Sequence, residues 1–67
     1  MNPSQAIEAL LGLPEWTEVR IAEAVGTTQP TINRIKRGAS PAYQTGAAIV
    51  ALAGKELSDK PAKQEAA

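Results

Sequence analysis

Residues 17–37, TEVRIAEAVGTTQPTINRIKR, constrain the fold more than any other part of this chain. Thr17 and Thr28 are residue types that favour helix N-caps, and Gly26 lies between the two segments that they open. Apolar residues recur at helical spacing in both segments and are expected to form their buried sides: Val19, Ile21, Ala22 and Val25 in the first, Ile32 and Ile35 in the second. The stretch therefore predicts two short helices joined by a tight turn, the layout of a helix-turn-helix.

The flanking segments predict two further helices. The first begins with Asn2-Pro3-Ser4-Gln5, which combines a capping-box pattern with proline at the first helical position. Gly12 is placed to end it. Ser40 and Pro41 repeat the cap-plus-proline pattern and predict a fourth helix, which is expected to end at Gly54 or slightly beyond.

The predicted fold is all-α, a small bundle of four helices over residues 1–54, with a fifth helix left open. Residues 55–67 mix charges and contain hardly any large apolar side chain, so a flexible tail is expected there. The 67 residues have room for one domain. A domain of this size buries only about 60% of its unfolded surface, so self-association is an expected further source of stability.

Composition excludes several classes of function. The chain contains no Cys and no His, which removes disulfides, most metal sites and thiol or imidazole catalysis. Its acidic residues form no spaced pair with a plausible pocket, so we expect no enzyme, no cofactor and no small-molecule substrate. No apolar run approaches the roughly 18 residues of a membrane span, and no secretion signal is visible. A cytoplasmic protein without a membrane partner is expected.

Charge is zero overall but unevenly distributed. Residues 1–19 carry three acidic and no basic side chains, whereas residues 20–37 carry four basic and one acidic. A localised basic face is what contact with phosphates requires, while overall charge mainly scales non-specific affinity. The distribution therefore permits a nucleic-acid partner despite the neutral total.

The second helix of the pair carries the side chains best suited to such contact. At about 100° per residue, Ile32 and Ile35 define its buried side. The opposite side presents Pro30, Asn33, Arg34 and Arg37, with Gln29 and Thr31 on the flanks. Gln, Asn and Arg can make bidentate hydrogen bonds to base edges. The predicted base-contacting residues are Thr28, Gln29, Pro30, Thr31, Asn33 and Arg34.

Some details stay open at this point. Either Thr28 or Gln29 is the N-cap of the third helix, because Pro30 disfavours helical torsions in the residue before it. Pro30 either offers an apolar edge to a thymine methyl group or simply starts the helix. Arg20 either forms a salt bridge with Glu8 or Glu23 or contacts DNA. Phosphate contacts are expected from Thr17, Lys36, Arg37 and Ser40.

Roughly residues 13–53 resemble the Cro and repressor proteins of temperate phages and their bacterial relatives, a lambda-repressor-like fold. The resemblance lies in Thr17, Ile21, Ala22, Val25, Gly26, Thr28, Gln29, Thr31, Ile32, Ile35 and Gly38. It implies a sequence-specific transcriptional regulator, a repressor that binds a palindromic double-stranded DNA operator. It also implies base contacts from Thr28, Gln29, Pro30 and Arg34 and phosphate contacts from Thr17 and Arg37.

Two departures from that family stand out. Family members commonly have Gln at the first position of the second helix, where this chain has Glu18, whose charge would repel phosphate unless Arg or Lys neutralises it. They also usually have five helices, whereas this chain predicts four.

Such a protein would need a partner subunit to read two half-sites. Residues 47–53 are apolar all the way round, so one side of the fourth helix is expected to cover helices one and three and the other to meet a second copy. The homodimer would be weak and would form mainly on DNA. The alternative function is an antitoxin-like or other protein-binding regulatory module that acts through the tail.

Overall fold

The computed structural model describes the main chain of residues 1–65 and the side chains of residues 1–58. In this part the chain is all-α, with four helices and no strand: α1 (Pro3–Leu11), α2 (Glu18–Val25), α3 (Gln29–Lys36) and α4 (Tyr43–Glu65). The predicted bundle of four helices is confirmed. No helix within this part has the length and apolar character needed to cross a membrane.

Local capping determines where the first three helices begin. The Asn2 side chain accepts a hydrogen bond of 2.8 Å from the Gln5 main-chain N–H, and the Gln5 side chain accepts one of 3.0 Å from Asn2 N–H. This is the predicted capping box. Thr17 Oγ1 accepts from Arg20 N–H at 3.1 Å and caps α2. Thr28, in extended conformation, is the N-cap of α3, so the choice between Thr28 and Gln29 is resolved.

The turn between α2 and α3 depends on glycine. Gly26 adopts a φ of 81°, in the left-handed region that a side chain disfavours. Its N–H donates to the carbonyl oxygen of Ala22, and Thr27 N–H donates to the same oxygen at 2.8 Å. The chain therefore reverses within residues 26–28, and α3 packs against α2.

An apolar core joins all four helices. Its buried members are Ala6, Ile7, Leu10, Ile21, Ala22, Ile32, Ile35, Ile49 and Ala53. No polar side chain among the described residues is buried with them. Full burial of each aliphatic side chain of this size stabilises the fold by roughly 1.5–3 kcal/mol before entropy is counted. Helix α3 is thus anchored by its two isoleucines on a scaffold formed by α1 and α2.

Two expectations about packing are wrong. Val19 was expected in the core but is 51% exposed. It lies about 110° around α2 from the stripe of Ile21, Ala22 and Val25. Its apolar character alone therefore did not indicate burial. Helix α4 packs on α1 and α2 and, among the described residues, not on α3. The side of α3 away from α1 and α2 is therefore left uncovered by α4.

Helix α4 begins later than predicted, at Tyr43 rather than at Ser40 and Pro41. The first helical hydrogen bond runs from Gly46 N–H to the carbonyl of Ala42, at 2.9 Å. A Cβ atom on Gly46 would lie only 3.1 Å from Cγ of Pro41. The proline ring therefore packs across the first turn of α4 instead of forming its first residue.

Helix α4 also ends later than predicted, since it continues past Gly54 to Glu65. Leu57 is partly buried against the core and lies one turn beyond Ala53, which is itself one turn beyond Ile49. This spacing of four residues continues the buried face beyond Gly54. Residues 55–57 therefore belong to the packed helix and not to the predicted tail. Residues 66 and 67 of that tail lie outside the described residues.

Candidate nucleic-acid interface

The side chains of α3 form three longitudinal rows. Ile32 and Ile35 form the buried row. About 90° around the helix, Gln29, Asn33 and Lys36 form a half-buried row that faces α2. A further turn of about 90° reaches Pro30, Arg34 and Arg37, all exposed. We call the last two the clamped row and the outer row.

The outer row is the part of α3 most accessible to a partner. Pro30, Arg34 and Arg37 occupy positions one turn apart, and none of them is covered by α4. This agrees with the predicted outward placement of these three residues. Two guanidinium groups, each with five N–H donors, therefore stand on a rigid helix whose opposite side is anchored in the core.

The clamped row is organised by a single carboxylate, Glu18, the first residue of α2. The Gln29 side-chain amide donates a hydrogen bond to Glu18 Oε1. Asn33 Nδ2 donates to Oε2 at 3.3 Å, and Lys36 Nζ lies 3.0 Å from the same oxygen. Asn33, expected on the outward side, is thus turned toward α2 instead.

The neighbours of Glu18 also change its acidity. The hydrogen bond from Lys36, followed by those from Gln29 and Asn33, lowers the pKa of Glu18 below its ordinary value. The carboxylate is therefore ionised near neutral pH, and its charge is balanced by Lys36. The neutralisation by Arg or Lys that Glu18 needed beside phosphate is thus present within the protein itself.

The start of α3 has an unusual cap. Thr28 occupies the N-cap position but makes no hydrogen bond from its side chain to the helix main chain. Its hydroxyl is instead 2.9 Å from the hydroxyl of Thr31. Pro30, in the first turn, lacks an N–H, so one fewer donor needs a partner there. Both hydroxyls of this pair lie at the N-terminal end of α3.

The expected phosphate-contacting residues other than Lys36 surround α3, and we call them the rim: Thr17, Ser40 and Arg37, the last of which also belongs to the outer row. All three are exposed, Thr17 at the start of α2 and the other two after α3. Arg20 has neither of its expected salt bridges: it stacks on Trp16, 4.9 Å from the ring centroid, and donates to the main-chain carbonyl of Glu15 at 2.6 Å. Trp16 and the Glu15 carbonyl therefore hold Arg20 against the segment that joins α1 to α2.

Sequence reasoning identified Glu18 only as a departure from a family pattern and missed its three partners. A usable signal was present. Glu18 lies four residues before Ala22 and seven before Val25, on the stripe of α2 that faces α3. A charged residue on an inward stripe needs partners, and the opposing stripe of α3 offers two amides and an ammonium group.

Comparison of the chain with protein-family models, curated proteins and solved structures gave no match. The outer row, the clamped row and the rim lie on or beside one helix that the core holds rigidly.

Proposed function

We propose that this chain is a sequence-specific DNA-binding transcriptional regulator that acts as a repressor by covering its operator. Helix α3 enters the major groove, where the base edges are met by the predicted base-contacting residues Thr28, Gln29, Pro30, Thr31, Asn33 and Arg34. The observation that carries the proposal is the exposed outer row, two arginines on a short, anchored helix that α4 leaves open. Arginine is the residue that most often reads guanine in the major groove, through a bidentate bond.

The diameter of an α-helix and the residues at the N-terminal end of α3 support binding in the major groove. An α-helix fits the major groove, and helices of this kind read bases with residues near their N-terminus. Thr28, Pro30 and Thr31 lie at that end of α3, and Arg34 lies one turn further. Pro30 presents an apolar ring suited to a thymine methyl group. The hydroxyls of Thr28 and Thr31 can each accept or donate a hydrogen bond.

Phosphate contacts would come from the rim. Thr17 lies at the N-terminus of α2, where unpaired N–H groups favour an anion. Arg37 and Ser40 follow the C-terminal end of α3. A phosphate on either side would fix the helix in the groove. Lys36, also predicted to contact phosphate, would first have to leave Glu18.

A second copy of the chain is proposed to bind through α4. Tyr43, which is 88% exposed, begins a face of α4 that continues through exposed Ala47, Ala51 and Gly54. A groove of about 510 Å³ adjoins this face, lined by Pro3, Ser40, Pro41, Ala42, Tyr43, Gly46, Ala47 and Val50. No lining residue carries a charge, so two identical copies can meet there without repulsion.

The dimer is expected to be weak in free solution because small side chains dominate its face. Two copies on one DNA would read half-sites about 34–36 Å apart, which requires a palindromic site. Coupling of dimerisation to binding makes operator occupancy depend steeply on protein concentration.

Selection from random double-stranded DNA tests the proposal directly. We expect recovery of one palindromic sequence, together with sedimentation as a dimer on that DNA. Recovery of no sequence above background would refute DNA recognition. Recovery of a single half-site, bound by a monomer, would retain DNA recognition and remove the dimer. The matched control is the variant with both Arg34 and Arg37 replaced by Ala, which should recover nothing.

A further inference from the structure

The three donors that converge on Glu18 limit how the clamped row is arranged. An ionised carboxylate only accepts hydrogen bonds, so the amides of Gln29 and Asn33 must turn their NH₂ groups toward it. Each amide then keeps its carbonyl oxygen and its second N–H for another partner. A neutral glutamine at position 18 would impose no such orientation, because its amide both donates and accepts.

The atoms left over on each amide match one base. An acceptor beside a donor is complementary to the N6 amino group and N7 of adenine. Gln29 and Asn33 are four residues apart, which places them about 6 Å apart along α3, far enough to reach different base pairs. The arrangement therefore favours sites that offer an adenine to each amide.

The ion pair with Glu18 makes Lys36 less available to DNA. Its ammonium group lies 3.0 Å from Glu18, and its side chain is only 32% exposed. A lysine already paired with a carboxylate gains less free energy from a phosphate contact, because the ion pair must first be broken. Pairing with Glu18 thus lowers the sequence-independent attraction of α3 for the DNA backbone.

We propose that Glu18 is a specificity-determining residue, which fixes the amides of Gln29 and Asn33 for adenine and withholds Lys36 from DNA phosphates. This inference rests on the proposed DNA-binding function. It assigns two effects to one carboxylate: stronger discrimination between sequences, through the oriented amides, and weaker sequence-independent binding, through the paired Lys36.

The clamp is tested first in the free protein, without DNA. Glu18→Gln is compared with wild type by NMR of the side-chain amide groups. We expect the signals of Gln29 and Asn33 to move toward those of solvent-exposed amides. Glu23→Gln, which removes the same charge from an exposed position of α2, should leave both signals in place. Unchanged signals in folded Glu18→Gln would overturn the clamp.

The second arm measures DNA binding by the same variants. For Glu18→Gln we expect the preference for adenine at the two positions to fall by about fivefold or more, since one bidentate contact discriminates by about 1–3 kcal/mol. Binding to unrelated DNA should strengthen, and the slope of log affinity against log salt should steepen by about 0.9, the value for one released lysine. Glu23→Gln should preserve the base preference of wild type.

The outcomes separate the inference from the function on which it rests. If wild type selects no DNA sequence, the proposed function fails, whereas the NMR arm still reports on the clamp. If wild type selects a sequence and Glu18→Gln keeps both its base preference and its salt slope, the role of Glu18 in specificity is refuted. Circular dichroism of each variant confirms that the helices remain folded.

Discussion

The side-chain hydroxyl of Ser4 in α1 donates a hydrogen bond of 2.9 Å to the main-chain carbonyl oxygen of Lys36, the last residue of α3. Carbonyl groups in the last turn of a helix have no partner within the helix, so this bond satisfies an acceptor as well as joining two elements. The side chain of Lys36 meanwhile pairs with Glu18 in α2. One residue thereby ties the end of α3 to both other short helices.

Loss of the Ser4 hydroxyl should therefore weaken the fold. For Ser4→Ala we expect the free energy of unfolding to fall by about 1 kcal/mol, because a part-buried carbonyl is left without its donor. Urea denaturation measures the change. Ser58→Ala, an exposed serine on α4, serves as the control and should cause no comparable loss. Equal stability of the two variants would show that the Ser4 bond contributes nothing.

The two threonine caps of α2 and α3 should contribute differently to the free energy of unfolding. Thr17 accepts from a main-chain N–H, whereas Thr28 does not. Thr17→Ala should lower the free energy of unfolding by about 1 kcal/mol, the usual effect of losing a cap bond. Thr28→Ala should lower it by less than half as much. Thermal melting compares them, and a larger loss for Thr28→Ala would contradict the observed cap geometry.

Two glycines of α4 should respond oppositely to alanine. A Cβ atom on Gly54 meets nothing within 4 Å, so Gly54→Ala should stabilise the helix by about 0.5–1 kcal/mol. A Cβ atom on Gly46 would lie 3.1 Å from the Pro41 ring and 3.3 Å from the Pro3 ring. Gly46→Ala should be destabilising by about 1 kcal/mol or more, because neither ring can rotate away.

Chemical denaturation at low protein concentration checks this pair without interference from association through α4. A stabilising Gly46→Ala would mean that Pro3 and Pro41 move away from the added methyl group at little cost in free energy. A destabilising Gly54→Ala would mean that this part of α4 is not helical in solution.

The starts of α1, α2 and α3 could be predicted, and so could most of their buried residues, because the signals are local. Asn2, Thr17 and Thr28 each precede an apolar periodic segment, and a cap acts within three residues. Ile32 and Ile35 define the buried side of α3 by spacing alone. These features need no knowledge of the rest of the fold.

The features that could not be predicted depend on residues far apart in sequence. Glu18 and Lys36 are brought together only when α3 folds back on α2. The later start of α4 depends on Pro41 packing across Gly46, and its later end on Leu57 reaching the core. Proline and glycine were interpreted as boundaries, whereas tertiary packing overrode both local signals.

The lowered pKa of Glu18 predicts a stability that depends on pH. A carboxyl group with a lower pKa in the folded state stabilises the fold above its ordinary pKa of 4.5, and this contribution is lost as pH falls through the folded value. The advantage of wild type over Glu18→Gln should therefore be largest near neutral pH and shrink in acid. Lys36 is the titratable group that faces Glu18.

Because the bond from Lys36 is the largest cause of that shift, Lys36→Met should reduce the dependence on pH. Urea denaturation of the three proteins at a series of pH values measures it. Identical pH profiles for wild type and Lys36→Met would disprove a stabilising interaction between Lys36 and Glu18.

Arg34 and Arg37 should affect DNA binding in different ways, although both belong to the outer row. Arg34 lies nearer the N-terminal half of α3, where bases are read, and Arg37 follows the end of the helix, near the backbone. Arg34→Ala should relax discrimination at one base pair by about 1–3 kcal/mol. Arg37→Ala should weaken binding to all sequences alike and reduce the salt slope by about 1.

Titration of each variant with the selected operator and with single-base variants, at several salt concentrations, distinguishes these effects. Arg20→Ala is the matched control, since Arg20 is engaged with Trp16 and the Glu15 carbonyl away from α3. It should leave base discrimination unchanged. If Arg34→Ala and Arg37→Ala both bind every sequence as wild type does, the outer row does not contact DNA. If their effects are exchanged, α3 lies in the groove in the opposite direction.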